Sequence, residues 1–180
     1  MEQRGTTRSA RNKVIEDRLM LPDKLNAYPT AAALAAGYSA AIVDGNDEHG
    51  ELTLFIEPGA IVDVCRFLKE DQQFNRLSGI TGVDWWPADP RFEVVYLLHS
   101  LPRNERLRLK CRVAENGEID SVTSVWRSAN WYERETYDMF GVRFRNHPNL
   151  QRILMPSDWE GHPLRKDYPV HGHKYSYQDE

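Results

Sequence analysis

Three acidic side chains in the last third of the sequence are the first candidates for chemistry. They are Glu133, Glu135 and Asp138, with His147 a short distance further on. Paired carboxylates on helices can hold two iron ions, but such a site needs a Glu-x-x-His unit on each of two helices. No histidine stands three residues after either glutamate. We therefore favour a structural use of these acids, with a small metal-dependent enzyme built on these four residues as the alternative.

A row of cationic side chains is the second candidate. Arg106, Arg108, Lys110 and Arg112 alternate with apolar residues, which predicts a half-buried strand with a basic outer face. Aromatic residues are not interleaved on that face, as a base-stacking surface would need. The formal net charge of -4 also gives no general attraction to nucleic acid. Solvent is the favoured occupant of this face, an acidic protein partner the second and RNA the last.

Cofactor chemistry has no evident support in the sequence. It contains no Gly-rich phosphate loop, Walker lysine, nucleophile elbow or Cys-x-x-Cys unit. Cys65 and Cys111 are far apart, and a metal centre or cluster needs about four ligands. We expect no catalytic residue, no cofactor and no metal in this chain.

The elements that would position these residues follow an α+β pattern. A helix begins at Pro29, and a second, after Glu57-Pro58-Gly59, carries an apolar stripe at helical spacing. The predicted strands span residues 39–43, 51–56, 77–86, 92–99 and 106–113. Turn-forming residues at 44–50 predict a hairpin, and apolar residues on both faces of 92–99 predict a central strand. The order α-β-β-α-β-β-β predicts a two-layer domain with helices on one face of a mixed sheet.

A further helix is predicted to carry the acidic residues. Asn130 and Glu133 have capping-box spacing, with Ser128 as a competing cap, and Gly141 can end the helix. Its buried side is predicted to carry Tyr132, Thr136, Met139 and Phe140.

The segment after Gly141 has no convincing period and is interrupted by prolines. It is nevertheless rich in apolar side chains: Phe144, Leu150, Ile153, Leu154, Met155, Trp159, Leu164 and Tyr168. Disordered tails are poor in such residues, so we predict an extended arm lying in the groove of a partner protein. A loop packed on its own domain is the alternative.

These patterns divide the chain into a loose N-terminal extension (1–28), an α+β domain (29–140) and an extended partner-binding arm (141–180). Acidic residues at positions 2, 16 and 17 argue against a transit peptide in the extension. No apolar run reaches the roughly 20 residues that cross a bilayer. Membrane association is therefore expected only through a partner.

The C-terminal segments resemble a known family, the thirty-kilodalton subunit (the bacterial C subunit) of the proton-pumping NADH:quinone oxidoreductase, respiratory complex I. The hallmark is Glu-Arg-Glu-Thr-Tyr-Asp-Met-Phe-Gly-Val at 133–142. Residues 79–84, 92–96, 147–154 and 159–169 continue the resemblance. Asn149 and Gln151 depart from it, since the family pattern has an acid and a base there.

The resemblance implies a non-catalytic structural subunit of the hydrophilic arm, docked on the quinone-site (forty-nine-kilodalton) subunit and near iron–sulfur subunits. FMN and the clusters would lie in those partners, and this chain would support electron transfer from NADH to quinone coupled to proton translocation. It would be peripheral, at the cytoplasmic face of the bacterial membrane. The equivalent subunit of a membrane-bound hydrogenase-type complex is the alternative. The implied partner interface comprises Glu133, Arg134, Glu135, Asp138, Phe140, Gly141, His147, Pro148, Arg152, Trp159, Gly161, Pro163, Leu164, Arg165, Lys166, Asp167, Tyr168 and Pro169.

Overall fold

The computed structural model describes Leu25 and residues 27–169. Most of the predicted N-terminal extension and the last part of the predicted arm, 170–180, therefore lie outside the described residues. The helices are α1 (Pro29–Tyr38), α2 (Ile61–Glu70) and α3 (Ala129–Phe140), with short 3-10 turns at Ser39–Ala41 and Pro58–Ala60. The strands are β1 (Ile42–Glu48), β2 (Glu51–Ile56), β3 (Arg76–Asp84), β4 (Phe92–Ser100), β5 (Glu105–Val113), β6 (Glu118–Asp120) and β7 (Arg143–Arg145).

The main sheet has five strands in the order β1-β2-β5-β4-β3. The β2–β5 pair is parallel and the other three pairs are antiparallel, which makes the sheet mixed. The predicted fold class and element order are confirmed. The middle position belongs to β5, however, so the prediction of a central β4 is corrected to an internal strand between β5 and β3.

The first hairpin is tighter than predicted. Residues 39–41 form a 3-10 turn, and β1 continues through the segment predicted to be a loop. Ladder pairs Asn46–Thr53 and Glu48–Glu51 extend β1 to the edge of the turn, leaving only His49 and Gly50 between the strands. Both have positive φ, 57° and 77°. Cross-strand pairing has therefore prevailed over the local preference of Asp, Asn and Gly for turns.

One face of the sheet carries the core. The predicted stripe of α2 (Ile61, Val64, Cys65, Leu68) is fully buried against it, and the apolar side of β5 is buried as predicted. Helix α3 packs on the same face near β3, where a Cβ on Gly82 would lie 2.7 Å from the Phe140 ring. Glycine is needed there for this close approach. The opposite face of the sheet carries no helix of the described chain.

The protein has a second, two-stranded sheet, whose strands precede and follow α3 in the sequence. Strands β6 and β7 pair in parallel, and Ile119 and Phe144 are buried between them and the core. Val142 is buried as well. The first residues of the predicted arm therefore contribute to the core of the domain.

The two predicted ends of α3 have different outcomes. Ser128 is the N-cap residue but makes no side-chain capping bond, and the Glu133 carboxylate binds residues 121–122 instead. The predicted capping box is therefore wrong, because a tertiary contact takes the glutamate. Gly141 ends the helix in the left-handed conformation, φ 78°, as predicted. No helix in the described part of the chain is long and apolar enough to span a membrane.

Candidate functional site

The residues that sequence reasoning grouped as an interface meet around the C-terminal half of α3. At the centre is Asp138, which is fully buried. Its Oδ2 accepts hydrogen bonds from three consecutive backbone N–H groups of the segment after Arg152, those of Ile153, Leu154 and Met155, at 2.8–2.9 Å. Its Oδ1 binds the Arg152 guanidinium at 2.6 Å. One carboxylate thus fixes the conformation of residues 152–155.

The charge of Asp138 is stabilised by these donors. Burial alone would raise its pKa, but the bonds from the Met155 N–H, Arg152 and the Ile153 and Leu154 N–H groups outweigh burial. The pKa therefore lies below its ordinary value. These donors favour the charged form of Asp138, and the inward position of its side chain was not anticipated by the interface prediction.

The last carbonyls of α3 are also satisfied by the arm. Asp138 O contacts His162 Nδ1 at 3.0 Å, and Met139 O accepts from Leu164 N at 3.1 Å. Phe140 O accepts from Arg165 Nε at 2.7 Å. A helix leaves its final carbonyls without intrahelical partners, and cationic or donor groups there are favourable. The arm serves as the C-terminal cap of α3.

Gly141 allows this cap to close. Besides its positive φ, any Cβ at this position would clash with the His162 ring and the Arg165 guanidinium. Arg152 closes the same loop by donating to Gly161 O at 2.8 Å. Gly141, Gly161, Arg152 and Arg165 therefore make contacts within the chain that hold the arm on α3.

A second attachment of the arm centres on Arg91, which is buried. Arg91 binds Asp84 at 2.8 Å, Glu115 at 2.8 Å and Asp167 of the arm at 2.5 Å. The Lys166 N–H also donates to Asp84 at 2.8 Å. The pKa of Asp84 lies below its ordinary value, because these bonds outweigh the effect of burial. Arg91 and Glu115 were missed, since nothing in the local sequence signals that the arm returns to the end of β3.

Glu133 holds a different segment. Its oxygens accept from Ser121 Oγ at 2.6 Å and Val122 N at 2.7 Å, and His147 Nε2 lies 3.9 Å away. Burial raises the pKa of Glu133 to about 7, although the two hydrogen bonds oppose the shift. The His147 Nδ1 accepts from Asn149 N at 3.0 Å. Burial lowers the pKa of His147, which keeps the imidazole neutral.

The four residues of the metal-enzyme alternative do not form one site. Glu133 and His147 are neighbours, Asp138 is bound by the arm, and Glu135 is exposed. Within the described residues, no group of three or more His, Cys, Asp or Glu side chains is placed to hold a metal. In this arrangement, Glu133 and Asp138 attach other segments of the same chain to α3.

The outer side of this region is apolar and exposed. Trp131, Leu154 and Leu164 are 60%, 61% and 54% exposed. Arg134 lies 5.1 Å from the Trp131 ring centroid and donates to the carbonyls of Gln151 and Arg152. Of the three apolar residues, only Leu164 was among the predicted interface residues. The other predicted residues with exposed or half-buried positions are Glu135, Pro148, Trp159, Gly161, Pro163, Lys166, Tyr168 and Pro169. The predicted interface residues thus separate into an inner set that fixes the arm and a more exposed outer set, beside which Trp131 and Leu154 also lie.

The protein is of the α+β class, and one helix, α3, holds a long irregular segment against the domain. The family described as "Respiratory-chain NADH dehydrogenase, 30 Kd subunit" matches residues 54–174. The chain belongs to this complex I subunit family.

Individual relatives agree with the family. The chain is 52% identical over 137 residues to the C subunit of NADH-quinone oxidoreductase from Geobacter sulfurreducens, covering 75% of this chain and 85% of the relative. It is 53% identical over 135 residues to a C subunit (C 2) of NADH-quinone oxidoreductase from Rhizobium etli, covering 74% and 72%. Among solved structures, a chain of the membrane-bound sulfane sulfur reductase, an archaeal respiratory membrane complex, matches with TM-score 0.64. That match covers 89% and 86% of the two chains at 22% identity, which shows a shared fold.

Proposed function

We propose that this chain is a non-catalytic structural subunit of the hydrophilic arm of NADH:quinone oxidoreductase, docked on the large quinone-site subunit. In that position it supports electron transfer from NADH to quinone coupled to proton translocation. FMN and the iron–sulfur clusters belong to partner subunits, and the chain lies peripherally at the cytoplasmic face of the bacterial membrane. Family membership and the names of the relatives support this proposal.

The observation that carries the docking role is the exposed apolar surface of α3 and the arm. Trp131, Leu154 and Leu164 each leave more than half of their surface uncovered. Tryptophan is enriched at the buried centres of protein interfaces, and apolar neighbours such as leucine exclude water around it. The backbone of Leu154 is also fixed, because its N–H donates a hydrogen bond to the buried Asp138 carboxylate. A surface whose backbone is already fixed loses less conformational entropy when a partner binds.

The chemistry of the inner set also fits a structural role. The buried acids Glu133 and Asp138 are each hydrogen-bonded within the chain, and Arg91 and Arg152 have carboxylate partners. The charges of these four side chains are already bound by partners within the chain, which fits a structural role better than substrate binding. Their common effect is to hold the arm and its outer side in one conformation.

Co-purification of outer-surface variants tests the docking. The double variant Leu154→Asp/Leu164→Asp changes only exposed side chains, so it is expected to fold but to lose the other subunits on affinity purification from native membranes. The matched control, Ala36→Asp/Val43→Asp, alters two exposed apolar residues distant in sequence from α3 and is expected to retain them. Recovery of the complete complex with the first double variant would overturn the docking proposal.

The identity of the companions separates this function from its alternative. A hydrogenase-type assembly stays the second candidate, because the sequence resemblance extends to the equivalent subunit of such complexes. The match to a chain of the sulfane sulfur reductase complex adds a shared fold and no more. Mass spectrometry of the co-purified subunits decides between them: a flavin subunit and the quinone-site subunit are expected, whereas a nickel hydrogenase subunit would assign the chain to the alternative.

A further inference from the structure

The face of the main sheet opposite α2 and α3, which we call the open face, carries differently paired charges at its two ends. Alternate residues of β5 point to this face, and so do their cross-strand neighbours on β4 and β3. At one end, Glu93 lies between Lys110 at 2.9 Å and Arg112 at 3.8 Å. Next to it, Arg108 is paired with Glu51 at 2.6 Å. The cationic side chains at this end are therefore neutralised by the sheet itself.

The other end carries basic residues without this compensation. The ladder places Arg76 of β3 opposite His99 of β4, and His99 opposite Arg106 of β5. Arg76 and Arg106 are exposed, and in the part of the chain that the structure describes neither has a hydrogen-bond or ion-pair partner. The buried Nε2 of His99 likewise lacks a hydrogen-bond partner among those residues. We call Arg76, His99 and Arg106 the basic row.

Within the described chain, the fold gains no ion pair from Arg76 or Arg106, whereas the opposite pairs at the other end of this face stabilise the sheet. Two strand spacings separate the backbones of Arg76 and Arg106, roughly 10 Å, so the two guanidinium groups can be satisfied together by an extended anionic segment. Leu97 lies beside the row and is 37% exposed. A depression of about 410 Å³ is lined by all four side chains, and also by Arg108 with its partner Glu51.

We propose that the basic row, with Leu97, is a second docking surface that binds an acidic segment of a neighbouring subunit. Charge complementarity selects the segment: carboxylates pair with Arg76 and Arg106, the Nε2 of His99 gains a partner, and an apolar side chain covers Leu97. The surface lies on the open face of the sheet, whereas α3 and the residues that hold the arm lie on the helical face. The proposal rests on the proposed function only in taking the partner from the same complex.

A photo-crosslinking residue at position 97 tests the contact in the assembled complex. In the otherwise unchanged chain, irradiation is expected to form an adduct with an Asp- and Glu-rich peptide of another subunit. In the same chain carrying Arg76→Gln/Arg106→Gln, the adduct is expected to fall about fivefold or more, because two charge pairs are lost. The matched control Arg66→Gln/Arg143→Gln removes two exposed cations that lie outside the main sheet and is expected to leave the yield unchanged.

Stability separates docking from a structural role. Arg76 and Arg106 are exposed and have no partner among the described residues, and charges roughly 10 Å apart are largely screened at physiological salt. The isolated Arg76→Gln/Arg106→Gln chain is therefore expected to melt at the same temperature as the unaltered chain. A lower melting temperature would mean that the row supports the fold and would overturn the proposal. So would an equal adduct yield in the double variant, an adduct with a peptide poor in acids, or an adduct with phospholipid or RNA.

The outcomes also distinguish this inference from the proposed function. An assembled NADH:quinone oxidoreductase that gives no adduct at position 97 overturns the second docking surface and leaves the first intact. An acidic adduct in a different assembly supports the surface and overturns the assignment to this complex. A chain recovered without companions and without an adduct overturns both.

Discussion

Two fully buried carboxylates on α3 show how differently the same type of group can be used. Asp138 receives three backbone N–H groups and a guanidinium, whereas Glu133 receives one hydroxyl and one N–H. The pKa of Asp138 lies below its ordinary value, and that of Glu133 is raised to about 7. Both side chains are 0% exposed, but Glu133 is enclosed more deeply by protein atoms, so burial raises its pKa more strongly. Its two hydrogen bonds do not offset that burial, whereas the three N–H groups and the guanidinium at Asp138 do.

The difference has a structural meaning. The Asp138 region attaches a long segment that has little regular structure of its own, and a permanent charge with several donors is suited to that task. The Glu133 region joins α3 to residues 121–122, which are already held near β6 by the bond from Ser121 N to Arg145 O. A weaker, partly neutral contact is sufficient there.

The largest expected effect comes from removing the charge of Asp138. In Asp138→Asn, an amide NH2 group must face either the Arg152 guanidinium or the three N–H groups, and Arg152 loses its buried partner. Breaking a buried ion pair costs about 3–5 kcal/mol, so the free energy of unfolding is expected to fall by that amount. Chemical denaturation measures it. A loss below about 1 kcal/mol would mean that the arm is held mainly by its other contacts.

The pH dependence of stability is expected to differ in sign between the two carboxylates. Glu133 has a folded pKa of about 7 against an ordinary 4.5, so its contribution is complete below pH 4.5 and is lost as pH rises through 7. The shift corresponds to a loss on the order of 3 kcal/mol. Glu133→Gln resembles the neutral acid and is expected to abolish this loss. Asp138, with its lowered pKa, contributes above pH 3.8 and loses that contribution in more acidic solution.

Denaturation curves between pH 3 and pH 8 of the unaltered chain, Glu133→Gln and Asp138→Asn check these signs. The difference in stability between Glu133→Gln and the unaltered chain is expected to change in favour of the variant as pH rises. A constant difference would show that the Glu133 carboxyl titrates at its ordinary value.

The cap formed by the arm gives an intermediate effect. Gly141→Ala introduces a Cβ at positive φ and pushes His162 and Arg165 away from the end of α3. A loss of about 2 kcal/mol is expected, larger than the cost of the backbone conformation alone. Gly37→Ala is the matched control, because a Cβ there meets nothing within 4 Å. Equal melting temperatures for the two variants would contradict the role of the arm as a cap.

The smallest effect is expected at the third acid of the same helix. Glu135 is exposed, so Glu135→Gln is expected to change the free energy of unfolding by less than about 0.5 kcal/mol. Thermal melting of Glu135→Gln and Asp138→Asn side by side measures how much of the stability lost in Asp138→Asn depends on the burial of the carboxylate and on its hydrogen-bond donors. A loss comparable to that of Asp138→Asn would remove the basis of the comparison.

Periodic and local signals predicted much of the fold. The apolar stripe of α2, the alternation of β5 and the position of Gly141 follow from spacing and backbone preference, and all three are confirmed. The hairpin and the start of α3 were wrong where a cross-strand or tertiary contact prevailed over a local preference. The resemblance gave the family, whereas periodicity gave only the fold class.

The site was predictable as a set of residues but not as an arrangement. The family resemblance placed Asp138, Arg152 and Arg165 in one predicted interface. It could not show that these side chains bind other parts of the same chain and hold the arm on α3. Arg91 carried no signal, because its partners Asp84 and Asp167 are separated along the chain and meet only in three dimensions. The predicted contact with a partner protein stays a prediction for the outer set.

The contact between Lys166 N–H and Asp84 joins positions 82 residues apart, and the Arg91–Asp167 pair spans 76. During synthesis, β3 and β4 leave the ribosome long before the segment that closes on them. The arm can therefore cover the pair of Asp84 and Arg91 only after almost the whole described chain has been synthesised. We expect closure of the arm to be a late step of folding, and local release of the arm to cost less free energy than unfolding of the sheet.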